Sequence, residues 1–213
     1  KKTALTEYNS ARKTGLQSIT LKEDDELIKV QLTDGQDNVV LVTRKGMCIT
    51  FDEKDVRPIG RTAQGVIGIK LDDGPTGPRF QKGLTNSWPT PINLSSTFNR
   101  KLIYQVGQAQ GSDFYHKGVN VALTPCINLL RVPVGGRIFE AWGENPFLTG
   151  EMASELIRGI QSQGVIACAK HFIANEQEKY RNSSNSVLDE RTLMEIYVEP
   201  FYKAIKKGDV GCI

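Results

Sequence analysis

The chain offers few residues with strong chemical options, and their spacing narrows them further. There are two histidines, His116 and His171, and four cysteines, Cys48, Cys126, Cys168 and Cys212. No two cysteines stand close enough for a CxxC pair, and two histidines are too few to complete a zinc site with them. Each cysteine sits among apolar neighbours, as in Met47-Cys48-Ile49 and Ala167-Cys168-Ala169, which reads as small buried hydrophobes. A Cys126–Cys168 disulfide stays open as an alternative. No metal or cofactor is called for. What remains is a set of 24 acidic and 27 basic side chains. Carboxylates accept hydrogen bonds while Lys, Arg and protonated His donate them, so such a set can hold a polar ligand.

Two kinds of chain must position these residues. Residues 1–71 alternate apolar and β-branched with polar positions in 17–21, 27–32, 39–43, 47–51 and 66–71, separated by Glu23-Asp24-Asp25, Asp34-Gly35 and Lys45-Gly46. That spacing predicts about five short strands, a turn near 54–57, and no long helix. Residues 72–213 predict helices over 100–116, 147–163 and 190–207, and strands over 119–123 and 165–169, with a last strand beginning near Val210. Strands alternating with helices at this spacing argue for parallel βα units. The expected fold class is therefore mixed: a small all-β segment, 1–71, followed by an α/β segment, 72–213.

Composition sets the outer bounds. The 213 residues are 39% hydrophobic and 24% charged, ordinary for a globular protein and unlike a coiled coil or a disordered tail. The net charge of +3 is too small to predict nucleic-acid binding by itself. Apolar runs are far shorter than the roughly 18 residues of a membrane span, so no membrane partner is expected. Lys1-Lys2 is followed by polar sequence rather than a secretory core, which makes a cytoplasmic location the default expectation.

The stretches 2–8, 12–16 and 45–49, with Asp55-Val56-Arg57-Pro58-Ile59-Gly60-Arg61-Thr62-Ala63-Gln64-Gly65-Val66, closely resemble a blade of the C-terminal β-pinwheel of DNA gyrase. That family wraps DNA on a basic rim through phosphate neutralisation. The resemblance makes Lys45, Arg57 and Arg61 candidate DNA contacts, with solvated surface charge as the alternative. Only about one blade is present, and the Gln-Arg-Arg-Gly-Gly-Lys-Gly wrapping box, the cleavage tyrosine and the ATPase parts are not in the sequence. The implied partner is DNA, held weakly, and topoisomerase activity is excluded.

Residues 72–213 resemble the N-terminal barrel domain of glycoside hydrolase family 3 β-glucosidases. Asp73-Gly74-Pro75, Asn128-Leu129-Leu130-Arg131-Val132-Pro133, Gly135-Gly136-Arg137 through Glu140, Gly143-Glu144-Asn145-Pro146, Ala169-Lys170-His171-Phe172, Asn175-Glu176-Gln177-Glu178 and Asp189-Glu190-Arg191 occur in the family's order. The resemblance implies a partial (β/α)8 barrel, with Asp73, Arg79, Arg137, Lys170 and His171 lining the subsite for a terminal β-D-glucosyl unit. The implied partner is a β-glucoside or glucose, and the implied reaction is retaining hydrolysis. Alternatives stay open for each residue. Asp73 suits a plain turn, Arg79 and Arg137 suit scaffold ion pairs, and His171 suits a core histidine. Glu140, Glu144, Glu176 and Glu178 read as supporting or capping groups, and Arg131 as scaffold.

Neighbouring strand residues point to opposite faces, so Lys170 and His171 can meet one sugar only on an irregular backbone. The resemblance implies non-proline cis peptides there, and irregularity is expected between Lys170 and Ala174. No Ser-Asp-Trp nucleophile motif occurs; Ser112-Asp113-Phe114 falls inside a helix. Retaining catalysis needs two carboxyl groups about 5–5.5 Å apart. The chain is therefore expected to carry half a glucose pocket, no catalytic residue, and no hydrolysis by itself. A partial barrel and a lone blade also leave sheet edges through which copies could self-associate.

Overall fold

The computed structural model describes residues 1–9, 15–42, 48–65, 68–78 and 87–213. The chain divides into two compact units, Lys1–Ile69 and Lys70–Ile213.

The first unit is built on one hairpin. Strands β1 (Asn38–Val42) and β2 (Cys48–Asp52) pair antiparallel, with Asn38 opposite Asp52 and Val42 opposite Cys48. Asp52 ends β2 and caps the following turn, Glu53–Asp55, its Oδ1 accepting the Lys54 N–H at 2.8 Å. Two of the expected strands do not form. Residues 17–21 and 27–32 are not in strands, and Ile28, Val30 and Leu32 are 94, 78 and 69% exposed. Period-2 alternation makes a strand only where a neighbour completes the hydrogen-bond ladder, and a lone hairpin is marginal in water. Polar stitches hold the segment instead. Lys2 Nζ lies 3.6 Å from the buried Glu53 carboxylate, and the Ile59 N–H donates to the Lys2 carbonyl at 3.0 Å.

The second unit follows the βα pattern. Strands β3 (Leu71–Asp72), β4 (Val121–Ala122) and β5 (Ile166–Ala167) form a parallel sheet in that order, with Asp72, Ala122 and Ala167 in register. Parallel bridges from Cys126 to Lys170 and from Cys168 to Cys212 continue the pairing, the latter placing the last residues as the expected strand start. Helices α1 (Pro91–Ser95) and α2 (Arg100–His116) join β3 to β4, and α3 (Pro146–Gln161) joins β4 to β5. The expected helix over 190–207 is divided: α4 (Glu190–Thr192), a π-helical turn (Leu193–Tyr197) and α5 (Glu199–Lys206). β3 begins at Leu71, so the sheet of the second unit takes the residue where the all-β reading ends.

Starts of helices are local events. Asn99 and Asn145 cap α2 and α3, their Oδ1 atoms accepting the Leu102 and Leu148 N–H groups at 3.1 and 2.9 Å. Asp189 caps α4 in the same way through the Thr192 N–H at 2.9 Å. Packing is a long-range event. A Cβ on Gly159 would lie 2.3 Å from the Tyr104 carbonyl, so α2 and α3 meet backbone to backbone where glycines allow it. Around that contact Ile103, Phe114, Leu156, Ile157, Ile160 and Phe201 are fully buried. α5 is tied on by charge as well: Glu151, buried on α3, accepts from Lys203 at 2.9 Å and from Lys207. Burial opposes ionisation of Glu151, but the hydrogen bonds from Lys207 and Lys203 win and lower its pKa.

Candidate functional site

Parallel strands present their C-terminal ends together, and open α/β sheets bind ligands beyond those ends. Asp73 leaves β3, Asn128 follows the segment after β4, and Lys170 and His171 follow β5. The turn after Asp73 is forced by glycine: a Cβ on Gly74 would lie 1.8 Å from the Gly77 carbonyl oxygen. Trp88 closes against Gly77, and its indole N–H donates to Asp113 at 3.0 Å. Asp113, in the Ser-Asp-Phe triplet, thus anchors a tryptophan.

Lys170 Nζ donates to the Asp73 carboxylate and stands 3.3 Å from Glu140 Oε2. Arg137 binds the same Glu140 with two parallel bonds, Nε to Oε1 at 2.7 Å and Nη2 to Oε2 at 3.1 Å. Glu140 is 1% exposed, while Asp73 keeps 26% of its side chain in solvent. One buried carboxylate therefore holds two cations, and Lys170 links it to the half-buried Asp73. A bidentate arginine–carboxylate pair fixes direction as well as charge.

His171 joins this cluster through the irregular backbone that the adjacency of Lys170 and His171 requires. The Lys170–His171 and Phe172–Ile173 peptides are cis, and Ala174 has φ of 59°. Burial, then the Arg137 and Lys170 cations, pushes the His171 pKa down to about 4, which leaves the imidazole neutral at neutral pH. Burial raises the Glu176 carboxyl, although the Leu129 N–H donates to it at 3.4 Å. The Cys126 thiol is pushed up to about 11 by burial, so it is no nucleophile. Cys126 is a free thiol, and Cys168 Sγ stands 2.8 Å from Cys212 Sγ, against the Cys126–Cys168 disulfide alternative.

An open groove of about 700 Å³ runs between residues 171–175 and the loop carrying Arg181, Asn182 and Ser184. A small cavity of about 20 Å³, sharing His171 and Asn175 with it, lies among Cys126, Asn128, Arg137 and Glu176. The structure thus brings Asp73, Arg137, Lys170 and His171 into one place. Arg79 and Lys45 lie outside the described residues. In the first unit Arg57 is exposed, and the Arg61 guanidinium donates to the Gln17 carbonyl at 2.6 Å. Sequence reasoning passed over Arg181 as a groove residue and Asn128 as a partner of His171. Arg181 sits in a loop without periodicity, and the partner of Asn128 is 43 positions away. Among the described residues no cluster of His, Cys, Asp and Glu could hold a metal ion, and no helix is long and apolar enough to cross a membrane.

Residues 66–213 match the Glycosyl hydrolase family 3 N terminal domain. The chain belongs to glycosyl hydrolase family 3 through that segment. Residues 1–34 and 37–74 match the DNA gyrase C-terminal domain, a beta-propeller family, which makes the chain a chimera of the two. Among curated relatives, thermostable beta-glucosidase B of Acetivibrio thermocellus is 38% identical over 80% of this chain and 24% of its own length. The beta-glucosidase of Rhizobium radiobacter is 43% identical over 70% of this chain and 19% of its own. The structure of beta-glucosidase 3B from Thermotoga neapolitana with alpha-D-glucose is 44% identical, with TM-score 0.60 over 65% of this chain and 20% of that one. The beta-glucosidase from Kluyveromyces marxianus with glucose has TM-score 0.65 at 39% identity, over 68% of this chain and 18% of that one. The chain spans about a fifth to a quarter of the length of these curated relatives.

Proposed function

We propose that residues 70–213 form part of a partial (β/α)8 barrel and one wall of a pocket for a terminal β-D-glucosyl unit. The carrying observation is the string Asp73–Lys170–Glu140–Arg137 beside a neutral His171, at the C-terminal ends of parallel strands. Asp73 accepts from paired sugar hydroxyls, Lys170 and Arg137 donate to them, and Glu140 keeps both cations aimed from inside. The glucose bound in the Thermotoga neapolitana and Kluyveromyces marxianus enzymes supports this reading.

The whole-enzyme reaction in this reading is retaining hydrolysis of terminal β-D-glucosyl bonds. The 213 residues hold no Ser-Asp-Trp nucleophile motif, so this chain binds without cleaving. Thermal unfolding with and without excess glucose tests it. Glucose raises the midpoint of the wild-type chain, because a ligand that prefers the native state stabilises it, and Asp73→Ala removes that rise. Release of p-nitrophenol from its β-glucoside by the chain alone would defeat the non-cleaving part.

A second reading applies to the first unit, supported by its gyrase-type match: weak DNA contact through Lys45 and Arg57, with Arg61 committed to Gln17. Affinity for duplex DNA should then fall with salt and drop in Arg57→Ala. Binding indifferent to salt would end that reading.

A further inference from the structure

Asn128 makes an unusual set of contacts with one residue. The segment after β4 runs in register with the segment after β5: the Lys170 N–H donates to the Pro125 carbonyl at 2.9 Å, and the Ile127 N–H donates to the Lys170 carbonyl at 2.7 Å. That pairing delivers Asn128 beside His171. Its Oδ1 accepts the His171 backbone N–H at 2.7 Å, and its Nδ2 donates to the His171 carbonyl at 2.9 Å. The roles of a backbone N–H and C=O are invariant, so these two bonds decide which end of the amide is oxygen.

The His171 ring is read against the same oxygen. Nδ1 lies 3.1 Å from Asn128 Oδ1. A carboxamide oxygen has no hydrogen to give, so the ring nitrogen must supply it. We propose that Asn128 is a positioning residue that grips the His171 backbone on both sides and locks its ring as the Nδ1–H tautomer, leaving Nε2 as a hydrogen-bond acceptor. The other groups around the ring agree. The Cys126 thiol, 3.8 Å from Nδ1 and 3.7 Å from Asn128 Oδ1, is neutral and donates weakly to the amide. Arg137 and Lys170 are cationic, Glu140 and Asp73 face them, and burial with the two cations favours the uncharged ring that a fixed tautomer needs.

The consequence is a donor–acceptor code, and it rests on the proposed sugar pocket. Lys170 and Arg137 meet ligand acceptors, whereas His171 meets a ligand donor. A hydroxyl there satisfies Nε2; a methyl ether or a fluorine does not.

The chain has two histidines, so its ring-nitrogen NMR signals are few, and His171→Gln assigns them. In the 15N-labelled wild-type chain at pH 7, the protonated nitrogen of His171 should be Nδ1. In Asn128→Ala the Nε2–H form should appear, with glucose binding about tenfold weaker, the worth of one good hydrogen bond. Asn128→Asp keeps the accepting oxygen and should keep the Nδ1–H form. An Nε2–H tautomer in the wild type, or an unchanged tautomer in Asn128→Ala, overturns the proposal. If Asn128→Ala does not fold, the wild type and Asn128→Asp decide it. Glucose that binds no variant would remove the pocket reading and leave the tautomer measurement standing.

Discussion

The two units carry comparable strand patterns into opposite outcomes. Among the described residues of 70–213, side chains such as Phe114, Trp142, Leu156 and Phe201 are 1% exposed or less. Among the described residues of 1–69 the only buried side chain is Glu53, held by Lys2, and no apolar residue is buried. The first unit does not lack apolar residues; Ile28, Val30 and Leu32 are present and exposed. Among its described residues no second layer buries them, whereas in the second unit helices cover the sheet. An amphipathic pattern becomes a core only when a partner face comes with it.

The comparison is broken most sharply by core truncation. Phe201→Ala should cost about 3–5 kcal/mol and abolish the main cooperative transition, read by calorimetry. Ile28→Asp, an equally severe change by type, should leave that transition in place. A transition lost in Ile28→Asp would mean the first unit has a core after all.

A smaller effect concerns pH. The His171 pKa is depressed to about 4, so the native state disfavours the proton that the unfolded chain takes up below its ordinary value of 6.5. That stabilisation is present above pH 6.5 and is lost as pH falls from there through about 4. The midpoint of the second unit should therefore drop over that window, and His171→Gln should flatten the drop. Glu151, lowered from 4.5 by Lys207 and Lys203 against burial, gives the same sign only at lower pH, which separates the two. A flat profile in the wild type would contradict the burial of His171.

The smallest effect is a cap. Asn99→Ala removes the acceptor for the Leu102 N–H and should cost about 1 kcal/mol, visible as a shift of a few degrees in the second unit. A shift in a separate first-unit transition would show that the units are coupled.

Much of the second unit was legible in the sequence. The helix over 100–116 falls where periodicity places it. The division at the π-helical turn was missed although Pro200, in the first turn of α5, lies inside the expected helix and has no N–H to continue it. In the first unit, 39–43 and 47–51 correspond to the hairpin, while 17–21 and 27–32 show the same alternation without forming strands.

The sequence by itself determined the local elements and the residue types of the site. Caps, turns and periodicity act within a few residues, and the cations and carboxylates at 73, 137, 170 and 171 can be named without coordinates. The tertiary structure alone decided how they combine. Glu140 became the shared anchor of Arg137 and Lys170, Asn128 the clamp on His171, and Gly159 the point where two helix backbones touch. Each of these joins positions that parallel strand register or helix packing brings together, and contacts of that kind depend on the path of the chain between them, which no short-range pattern encodes.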